Sequence, residues 1–412
     1  MDHELNKRTI NISINQQNLC TTNVIKANFG LRDSGKASFK SLKTIKTVTE
    51  EIKVTCLHDR HVAQGALMSP FAGYDMPIQY VDITTEHNAV RQKVGVFDVS
   101  HMGEVEITGP DAAKFTNYIF TNDINAIKAG QILYGMMLYP DGGTVDDLLV
   151  YRVDDNDYFL VINAANIDKD VAWIMEQAKN FDVKIDHQSE LYGQIAVQGP
   201  EAEKTMGTVL GIDTTDLTFY TFKKMEYDGK TIIVSRTGYT GEDGFEVYAD
   251  PAIICKMWDM LMEAGVQACG LGCRDTLRFE AGLPLYGDEL TPEISPIAAT
   301  FGMFVKLDKE GGFIGRDACA QQKAEGTPKK LVGLELEGKA IPRHGYEVLD
   351  GENVVGYITT GYHSITLDKS VAFALVDRAV GALGNTLNVR IRKKVFPATV
   401  VKKRFYTPNY KK

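Results

Sequence analysis

The chain has 412 residues, of which 44% are hydrophobic and 24% are charged, and its formal net charge is −9. These values are typical of a globular protein with two or three domains, and they exclude a fibrous or wholly disordered chain. No apolar run approaches the ~18 residues that a membrane span needs, and the net acidity argues against general nucleic-acid binding.

Residues 1–52 differ in composition from the rest of the chain. They are rich in Asn, Thr, Ser and Lys, and eight basic residues against five acidic ones give them a charge of +3. Their sparse, aperiodic apolar residues cannot bury enough surface to offset the entropy of ordering. We therefore predict a disordered, dispensable leader, and Asp2 and Glu4 argue against a transit peptide.

A strand–turn–helix signal occurs twice within residues 53–319. Gly109-Pro110-Asp111-Ala112 follows one apolar stretch, and Gly199-Pro200-Glu201-Ala202 follows another, ninety residues later. In each copy we expect Pro at the first helical position, followed by an acid that suits the positive end of the helix dipole. The repetition predicts two related α+β subdomains.

Other elements of this region follow from periodicity and from turn residues. The predicted helices cover residues 59–68, 84–94 and 252–264. Two hairpins are predicted, one from strands 148–153 and 158–163 and one from strands 232–235 and 245–248.

The pattern changes near residue 320. Residues 320–330 are polar and predict a linker, and the strands that follow are short, alternating and separated by glycine turns. The six predicted strands cover residues 331–336, 345–349, 354–359, 371–376, 386–392 and 396–401. Such spacing is typical of a small all-β barrel or sandwich, which we predict for residues 331–412.

Metal and nucleophile motifs are weak in this sequence. Cys269 and Cys273 are separated by three residues and lack a second Cys or His pair, so we predict no metal site. A dinucleotide-binding fingerprint, a Gly-x-Ser-x-Gly elbow and a His-Glu-x-x-His motif are also missing from the sequence. We interpret His101 as a packed, hydrogen-bonded histidine in a turn.

Two adjacent carboxylates, Asp146 and Asp147, open an otherwise apolar strand after two glycines. Because neighbouring residues on a strand face opposite ways, at most one can point into a given cleft. If the hairpin closes around residues 154–157, Asp147 lies beside Asn163, although a shift of one residue decides whether they share a face. From the residues alone, a structural turn carboxylate and a functional acid both remain open.

The glycine-rich segment 235–246 is a second candidate site. Its glycines allow tight turns near a ligand, and Tyr239 offers an aromatic face. Glu246 stands where the chain re-enters a strand, and a carboxylate there can accept two parallel N–H donors, such as those of an aminopyrimidine ring. A third cluster, from Arg274 to Glu280, opens a helix and is explained equally well as an ion-paired helix face.

Several motifs occur in a fixed order along the chain: Phe71–Pro77, Phe97–Met102, Gly142–Leu148, Arg236–Gly244, Arg274-Asp275 and Leu283–Gly287. Together they closely resemble the aminomethyltransferase family, the T-proteins of the glycine cleavage system. The resemblance runs from about residue 54 to the end and leaves out the leader. It implies an α+β fold of three lobes, a cloverleaf, around a central site for tetrahydrofolate, which is the co-substrate, and it implies no metal.

The resemblance also implies a reaction and a set of site residues. The lipoylated H-protein, the implied partner, carries an aminomethyl group whose methylene carbon passes to tetrahydrofolate while ammonia leaves. By motif position, Asp147 is the essential aspartate, Glu246 binds the pterin and Arg274 belongs to the folate site. Further implied ligand-contacting residues are Asn163, Tyr134, Tyr239 and Tyr410.

The sequence departs from the family pattern at Met303, which stands where related chains have an aromatic residue of the folate pocket. Three alternatives remain open. The first is a folate-dependent relative that repairs iron–sulfur clusters or modifies RNA, although the signature cysteine of those proteins is missing from residues 236–243. The second is the folate-binding half of a flavin-dependent oxidising enzyme. The third is a non-catalytic folate-binding protein. We expect a cytoplasmic location, or the mitochondrial matrix in a eukaryote, with no membrane or nucleic-acid partner.

Overall fold

The computed structural model describes residues 52–407 and residue 410. The helices within these residues are α1 (His58–Ala63), α2 (Ile83–Gln92), α3 (Ala112–Ile119), α4 (Ile167–Gln177), α5 (Ala202–Thr208), α6 (Pro251–Glu263), α7 (Leu271–Ala281) and α8 (Arg316–Glu325).

The strands that accompany these helices form two open sheets, one hairpin and one barrel. In chain order they are β1 (Leu67–Phe71), β2 (Tyr74–Gln79), β3 (Gly95–Asp98), β4 (Gly103–Thr108), β5 (Gln131–Leu138), β6 (Thr144–Arg152), β7 (Asp157–Ile162), β8 (Lys184–His187), β9 (Gly193–Gln198), β10 (Phe222–Tyr227), β11 (Lys230–Ser235), β12 (Gly244–Ala249), β13 (Gln267–Cys269), β14 (Lys329–Leu336), β15 (Glu347–Asp350), β16 (Asn353–Ser364), β17 (Lys369–Asp377), β18 (Thr386–Ile391) and β19 (Lys394–Val401).

The first α+β region is a five-stranded antiparallel sheet in the order β5–β6–β7–β4–β8. Its predicted hairpin is formed by β6 and β7. Helices α3 and α4 bury their apolar sides against the sheet, in a core that includes Val105, Phe115, Leu160 and Ile174. The alternation of apolar residues on β4 is what directs one face of the sheet into this core.

The second α+β region repeats the path of the first. Its six-stranded sheet has the order β10–β11–β12–β9–β3–β13, so β9 and the hairpin β11–β12 take the places of β4 and β6–β7. Strand β3 is the addition, between β9 and β13. The prediction of two related α+β subdomains is confirmed.

The predicted place of Pro in the repeated signal was wrong. Helices α3 and α5 begin at Ala112 and Ala202, so Pro110 and Pro200 precede the N-cap residue instead of opening the helix. The reason is a tight turn before each helix, in which the N–H of Ala112 donates to the carbonyl of Gly109 at 3.0 Å.

The C-terminal region is a closed barrel with the strand order β14–β17–β16–β15–β18–β19. Strand β14 pairs with β19 and closes the cylinder. The six predicted strands correspond one for one to β14–β19, and the closure decides for a barrel over a sandwich. The interior is filled by side chains such as Leu334, Ile358, Ala374 and Val389.

Two local predictions do not agree with the structure. The linker predicted over 320–330 is wrong, because α8 continues to Glu325 and β14 begins at Lys329. Its Ala, Gln, Lys and Glu residues are good helix formers, and a polar composition does not separate an exposed helix from a loop. The helix predicted over 59–68 ends early at Ala63, and the chain turns at Gly65 (φ +75°) into strand β1.

Lys309 joins the loop before α8 to the end of α3. Its buried Nζ donates to the carbonyl oxygens of Asn117 at 2.5 Å, of Asn122 at 2.8 Å and of Phe120. Because the last turn of a helix leaves carbonyls without partners inside the helix, the ammonium group caps this end of α3. Burial lowers the pKa of Lys309 to about 7.

The leader predicted over residues 1–52 lies outside the described residues except for Ile52. Its dispensability and the predicted domain limits of 53–319 and 331–412 stay predictions. Within the part of the chain that the structure describes, no helix is long and apolar enough to cross a bilayer.

Candidate active site

Asp147 on β6 shares one face of the first sheet with Tyr134 on β5. Tyr134 pairs with Leu149, two residues beyond Asp147, so the two side chains are diagonal neighbours. The hydroxyl of Tyr134 donates to Oδ2 of Asp147 at 2.8 Å. Nδ2 of Asn163 donates to Oδ1 of Asp147 at 3.0 Å, so Asp147 and Asn163 share a face.

Gly143 fixes the start of β6 and therefore the positions of both aspartates. A Cβ at this residue would lie 1.9 Å from the carbonyl oxygen of Pro292, so only glycine fits. The next residue continues the contact, because the N–H of Thr144 donates to the carbonyl of Thr291 at 2.9 Å.

Asp146 points into the interior of the first region and is 0% exposed. It accepts hydrogen bonds from the backbone N–H of Asn163 at 3.0 Å, from Nδ2 of Asn163 at 2.9 Å and from Nδ2 of Asn166 at 2.6 Å. Strand alternation does turn Asp146 and Asp147 to opposite sides, but Asn163 contacts both carboxylates. Asp146 is therefore not independent of the site.

The electrostatic surroundings of Asp147 suit a proton exchange near neutral pH. Burial, and after it the neighbouring Asp146 carboxylate, raises the pKa of Asp147 to about 7. The hydrogen bonds from Tyr134 and Asn163 oppose this shift, because they stabilise the charged form.

Glu246 lies on β12, between Ser235 of β11 and Ala196 of β9, and is 7% exposed. The hydroxyl of Thr237 donates to its Oε2, and Nε2 of Gln194 reaches its Oε1 at 3.3 Å. Burial raises the pKa of Glu246, whereas the Thr237 hydrogen bond and the positive charge of Arg274 lower it. With a single long hydrogen bond, Oε1 keeps acceptor capacity for an N–H donor of a ligand.

The loop between β11 and β12 is held by a buried ion pair. Arg236 binds Asp243 through two hydrogen bonds of 2.9 and 2.7 Å, and it also reaches Glu203 on α5 at 2.6 Å. Gly241 has a φ of +85°, which its lack of a Cβ permits. These contacts fix the loop that carries Tyr239 and leads to Glu246.

Arg274, near the start of α7, lies with its guanidinium 4.7 Å from the ring centroid of Tyr239. The hydroxyl of Tyr239 donates to the carbonyl of Pro284 and thereby fixes the ring. Burial lowers the pKa of Arg274, and Tyr239 and Glu246 oppose that shift. Among the described residues no atom accepts a hydrogen bond from Arg274, so its donors are available to a ligand.

The ion-paired explanation of α7 applies to other residues of this helix. Arg278 pairs with Asp275 at 2.6 Å and with Glu289 at 2.9 Å, and Glu280 pairs with Arg91 at 3.2 Å. Arg274 belongs to none of these pairs and faces the site instead.

His101 is buried and packs edge-on against Phe71 and Tyr74, with ring centroids 5.7 and 6.4 Å apart. Burial, together with the positive charge of Arg274, lowers the pKa of His101 to about 4, so the ring is neutral at pH 7. The predicted packing is confirmed, but the predicted hydrogen bond is not found at Nδ1, which has no partner within residues 52–407.

Tyr410 stacks on Phe219, with ring centroids 4.3 Å apart. The residue after Phe219, Tyr220, lies near both Tyr410 and Glu246, and the sequence analysis did not single it out. Burial raises the pKa of Tyr220, and the nearby Tyr410 and Glu246 add to the shift. Its φ of +63° is rare for a bulky side chain, and no sequence signal announces it.

Phe304, and not Met303, supplies the aromatic contact next to Tyr134. The rings of Tyr134 and Phe304 meet edge to face with centroids 4.8 Å apart. Met303 is 68% exposed. Although Met303 departs from the family pattern, Phe304, one residue further along the chain, provides an aromatic side chain beside Tyr134.

Tyr239 is close enough to Asp147, and Arg274 to Glu246, for electrostatic interaction. Burial raises the pKa of Tyr239, the positive charge of Arg278 opposes it, and Asp147 adds to it. Arg274 lies against the same ring and acts in turn on Glu246.

Within the described part of the chain, no group of three His, Cys, Asp or Glu residues could hold a metal ion.

Two family matches cover most of the chain. Residues 57–309 match the GCVT N-terminal domain, and residues 329–407 match the glycine cleavage T-protein C-terminal barrel domain. The chain belongs to the glycine cleavage T-protein family. Neither match includes residues 1–52, in agreement with the range of the resemblance.

Individual relatives of this T-protein are similar over nearly their full length. The aminomethyltransferase of Clostridium botulinum (strain Okra / Type B1) is 49% identical over 367 residues, which cover 88% of this chain and 99% of the relative. That of Alkaliphilus oremlandii (strain OhILAs) is 48% identical over 367 residues, 88% of this chain and 100% of the relative.

A solved structure agrees with the sequence matches. The crystal structure of glycine cleavage system aminomethyltransferase T from Bartonella henselae has a TM-score of 0.83 and 30% identity, over 88% of this chain and 100% of that one. This T-protein is an aminomethyltransferase, and tetrahydrofolate is the co-substrate of its family. The iron–sulfur, RNA-modifying and non-catalytic alternatives are not favoured.

Proposed function

We propose that this T-protein transfers the methylene carbon of an aminomethyl group on the lipoyl arm of the H-protein to tetrahydrofolate, in the cytoplasm. The products are 5,10-methylenetetrahydrofolate, ammonia and dihydrolipoyl H-protein. The observation that supports this most strongly is Asp147, which lies between Tyr134 and Asn163 with a pKa of about 7. Asp147 is the proposed catalytic residue.

Asp147 acts where a folate nitrogen attacks the S–CH2–NH2 carbon. The carbon exchanges its bonds to the amine and to sulfur for bonds to two folate nitrogens, so ammonia and the lipoyl thiol both leave and take up the protons that the folate nitrogens lose. As each bond breaks, positive charge develops on the carbon and its remaining heteroatom, and a nearby carboxylate stabilises that charge. Tyr134 and Asn163 each occupy one oxygen of Asp147 and leave further lone pairs for the substrate. Its pKa of about 7 also allows Asp147 to pass a proton to the departing amine.

Glu246 fits the aminopyrimidine edge of tetrahydrofolate. That edge presents neighbouring N–H donors, and Glu246 is a buried carboxylate whose Oε1 has one long hydrogen bond. A buried acceptor without full pairing costs free energy, which a bound ligand with two donors would recover. Thr237 orients Glu246 by donating to its other oxygen.

Arg274 is proposed to hold a polar or anionic part of the folate. Its guanidinium is oriented by the ring of Tyr239, and none of its donors is taken by a described residue. An arginine held in place with free donors is suited to a planar acceptor such as a carboxylate or carbonyl. Further residues proposed to line the folate site are Tyr134, Asn163, Tyr239 and Tyr410.

The basic C-terminal segment is proposed to dock the H-protein. From residue 379 to the end the sequence has nine Lys or Arg residues and no acid. Lys402 is exposed, but Lys403 lies 3.6 Å from the ring centroid of Phe301 and donates to the carbonyl of Ala299 at 2.7 Å. Lys403 therefore holds the tail in place, and docking is assigned to Lys402 and the exposed residues 392–394.

Ammonia release from aminomethylated H-protein tests the proposed function. With tetrahydrofolate we expect rapid release and formation of 5,10-methylenetetrahydrofolate, and without it only slow release. Binding of tetrahydrofolate without any acceleration of ammonia release would instead favour a non-catalytic folate-binding protein.

A further inference from the structure

Helix α4 places a second buried carboxyl group, Asp170, beside Asp146. Its side chain is 0% exposed, and in the described part of the chain neither oxygen accepts a well-aligned hydrogen bond. Nζ of Lys169 lies 3.0 Å from Oδ1 of Asp170, but it also donates to the carbonyl of Val145. Two adjacent buried carboxyl groups cannot both ionise without a large electrostatic penalty.

Among the described residues, well-aligned hydrogen-bond donors reach only one of the two carboxyl groups. Asp146 accepts three hydrogen bonds, two from Asn163 and one from Asn166. A buried carboxyl group without such donors keeps its proton, which is the situation of Asp170. In agreement, burial and the Asp146 carboxylate raise the pKa of Asp170 to about 10.

We propose that Asp170 is a positioning residue: it remains protonated, donates its proton to Asp146, and so keeps Asp146 and Asn163 oriented toward Asp147. The connection to the site is direct, because Nδ2 of Asn163 contacts Oδ1 of Asp146 at 2.9 Å and Oδ1 of Asp147 at 3.0 Å. The inference rests on the proposed catalytic role of Asp147.

The hydrogen bond from Asn163 to Asp147 is the contact that this arrangement holds in place. The titratable groups that face Asp147 or Asp170 are Tyr134, Asp146, Lys169, Tyr239 and Tyr286. Burial raises the pKa of each tyrosine, so all three stay neutral across the working range. Loss of the Asn163 hydrogen bond would remove one of the contacts that lower the pKa of Asp147.

Two substitutions at Asp170 distinguish a protonated Asp170 that donates to Asp146 from an ionised Asp170 that pairs with Lys169. Asp170→Asn is neutral and keeps a donor, so kcat and its pH profile should stay within about twofold of wild type. Asp170→Ala removes the donor, so Asp146 loses a contact that holds it in place for Asn163. A misplaced Asn163 no longer lowers the pKa of Asp147, so we expect the acidic limb of kcat to move to higher pH. We expect kcat at pH 8 to fall about tenfold, with KM for tetrahydrofolate less affected.

Asp168→Asn is the matched control, since Asp168 lies on the same helix and is exposed. It should leave the pH profile unchanged, and thermal unfolding of each variant reports folding. Equal losses and equal shifts in Asp170→Asn and Asp170→Ala would overturn the inference in favour of an ionised Asp170. If Asp170→Ala does not fold, a lowered kcat or shifted profile in Asp170→Asn alone overturns it.

Asp147→Asn, measured beside these variants, separates the two proposals. An inactive Asp147→Asn together with a wild-type profile for Asp170→Ala would overturn the positioning role and leave the catalytic role standing. A fully active Asp147→Asn would overturn the catalytic role itself.

Discussion

Replacing Asp147 with asparagine removes a charge from the site while keeping its shape. The amide oxygen can accept from Asn163, where the carboxylate now accepts at 3.0 Å, and the amide nitrogen can donate to the hydroxyl of Tyr134. A phenol can either donate or accept, so both hydrogen bonds survive. The variant therefore loses the negative charge and the exchangeable proton with little change in packing.

The loss of activity follows from those two properties. General acid–base assistance contributes about 10²- to 10⁴-fold, so we expect kcat for ammonia release to fall by that factor. Affinity for tetrahydrofolate, measured by calorimetry, should change less, because Glu246 and Arg274 are untouched.

Thermal unfolding gives an independent measure of the same group. The pKa of Asp147 is raised from 3.8 to about 7, so the folded state binds its proton more tightly than the unfolded state. That stabilisation is complete below pH ~4 and is lost as the pH rises through about 7. At ~1.4 kcal/mol per unit, about 2–3 kcal/mol is lost between pH 5 and pH 8, an upper limit because the side chain is partly exposed.

Asp147→Asn does not titrate, so its Tm relative to wild type should increase from pH 5 to pH 8. The matched control is Asp154→Asn, an exposed residue in the turn of the same hairpin whose Oδ1 caps the N–H of Asn156 at 2.7 Å. Asp146→Asn is no neutral control, because Asp146 is buried and holds Asn163. If Asp147→Asn turns over normally and Asp146→Asn is inactive, Asp146 is the catalytic residue, and if both are active the carboxylate mechanism is wrong.

Four further outcomes are expected. Tyr134→Phe removes a donor that lowers the pKa of Asp147, so the acidic limb of kcat should move to higher pH, and an unmoved limb would separate Tyr134 from the titration. Glu246→Gln loses a charge-assisted contact worth about 1.5–3 kcal/mol, so tetrahydrofolate should bind roughly 10- to 150-fold more weakly by calorimetry, and native affinity would remove Glu246 from the site. Lys402→Glu should raise KM for the H-protein and flatten its salt dependence, whereas an unchanged KM would make Lys402 an ordinary surface residue. Deletion of residues 1–52 should leave Tm and kcat unchanged, and a loss of several degrees would contradict a dispensable leader.

Local signals in the sequence were sufficient for much of the fold. The two Gly-Pro-acid-Ala signals located equivalent turns in both sheets, and the glycine turns of the last region separated all six barrel strands. Both rest on residues that are close in sequence, where backbone preferences and alternation dominate. Helix α8 was missed because its residues are polar on most sides, so it has little apolar periodicity to detect.

The site was predictable only where a motif carries it. Asp147 and Glu246 stand in distinctive motifs, but Gln194, Thr237 and Tyr220 reach the site through tertiary contacts that no local pattern encodes. Asp170 shows the limit most clearly, because it lies on a helix that the sequence did not predict. Its protonation depends on which donors the folded chain brings to its neighbour.

The ammonium cap of Lys309 has a consequence for synthesis on the ribosome. Lys309 and Phe120, whose carbonyl it contacts at the end of α3, are 189 residues apart in sequence. At about 5–20 residues per second, roughly ten to forty seconds pass between translation of the helix and arrival of its cap. During that interval water must solvate the carbonyls at the end of α3, so we expect this helix end to fray until residue 309 has left the exit tunnel.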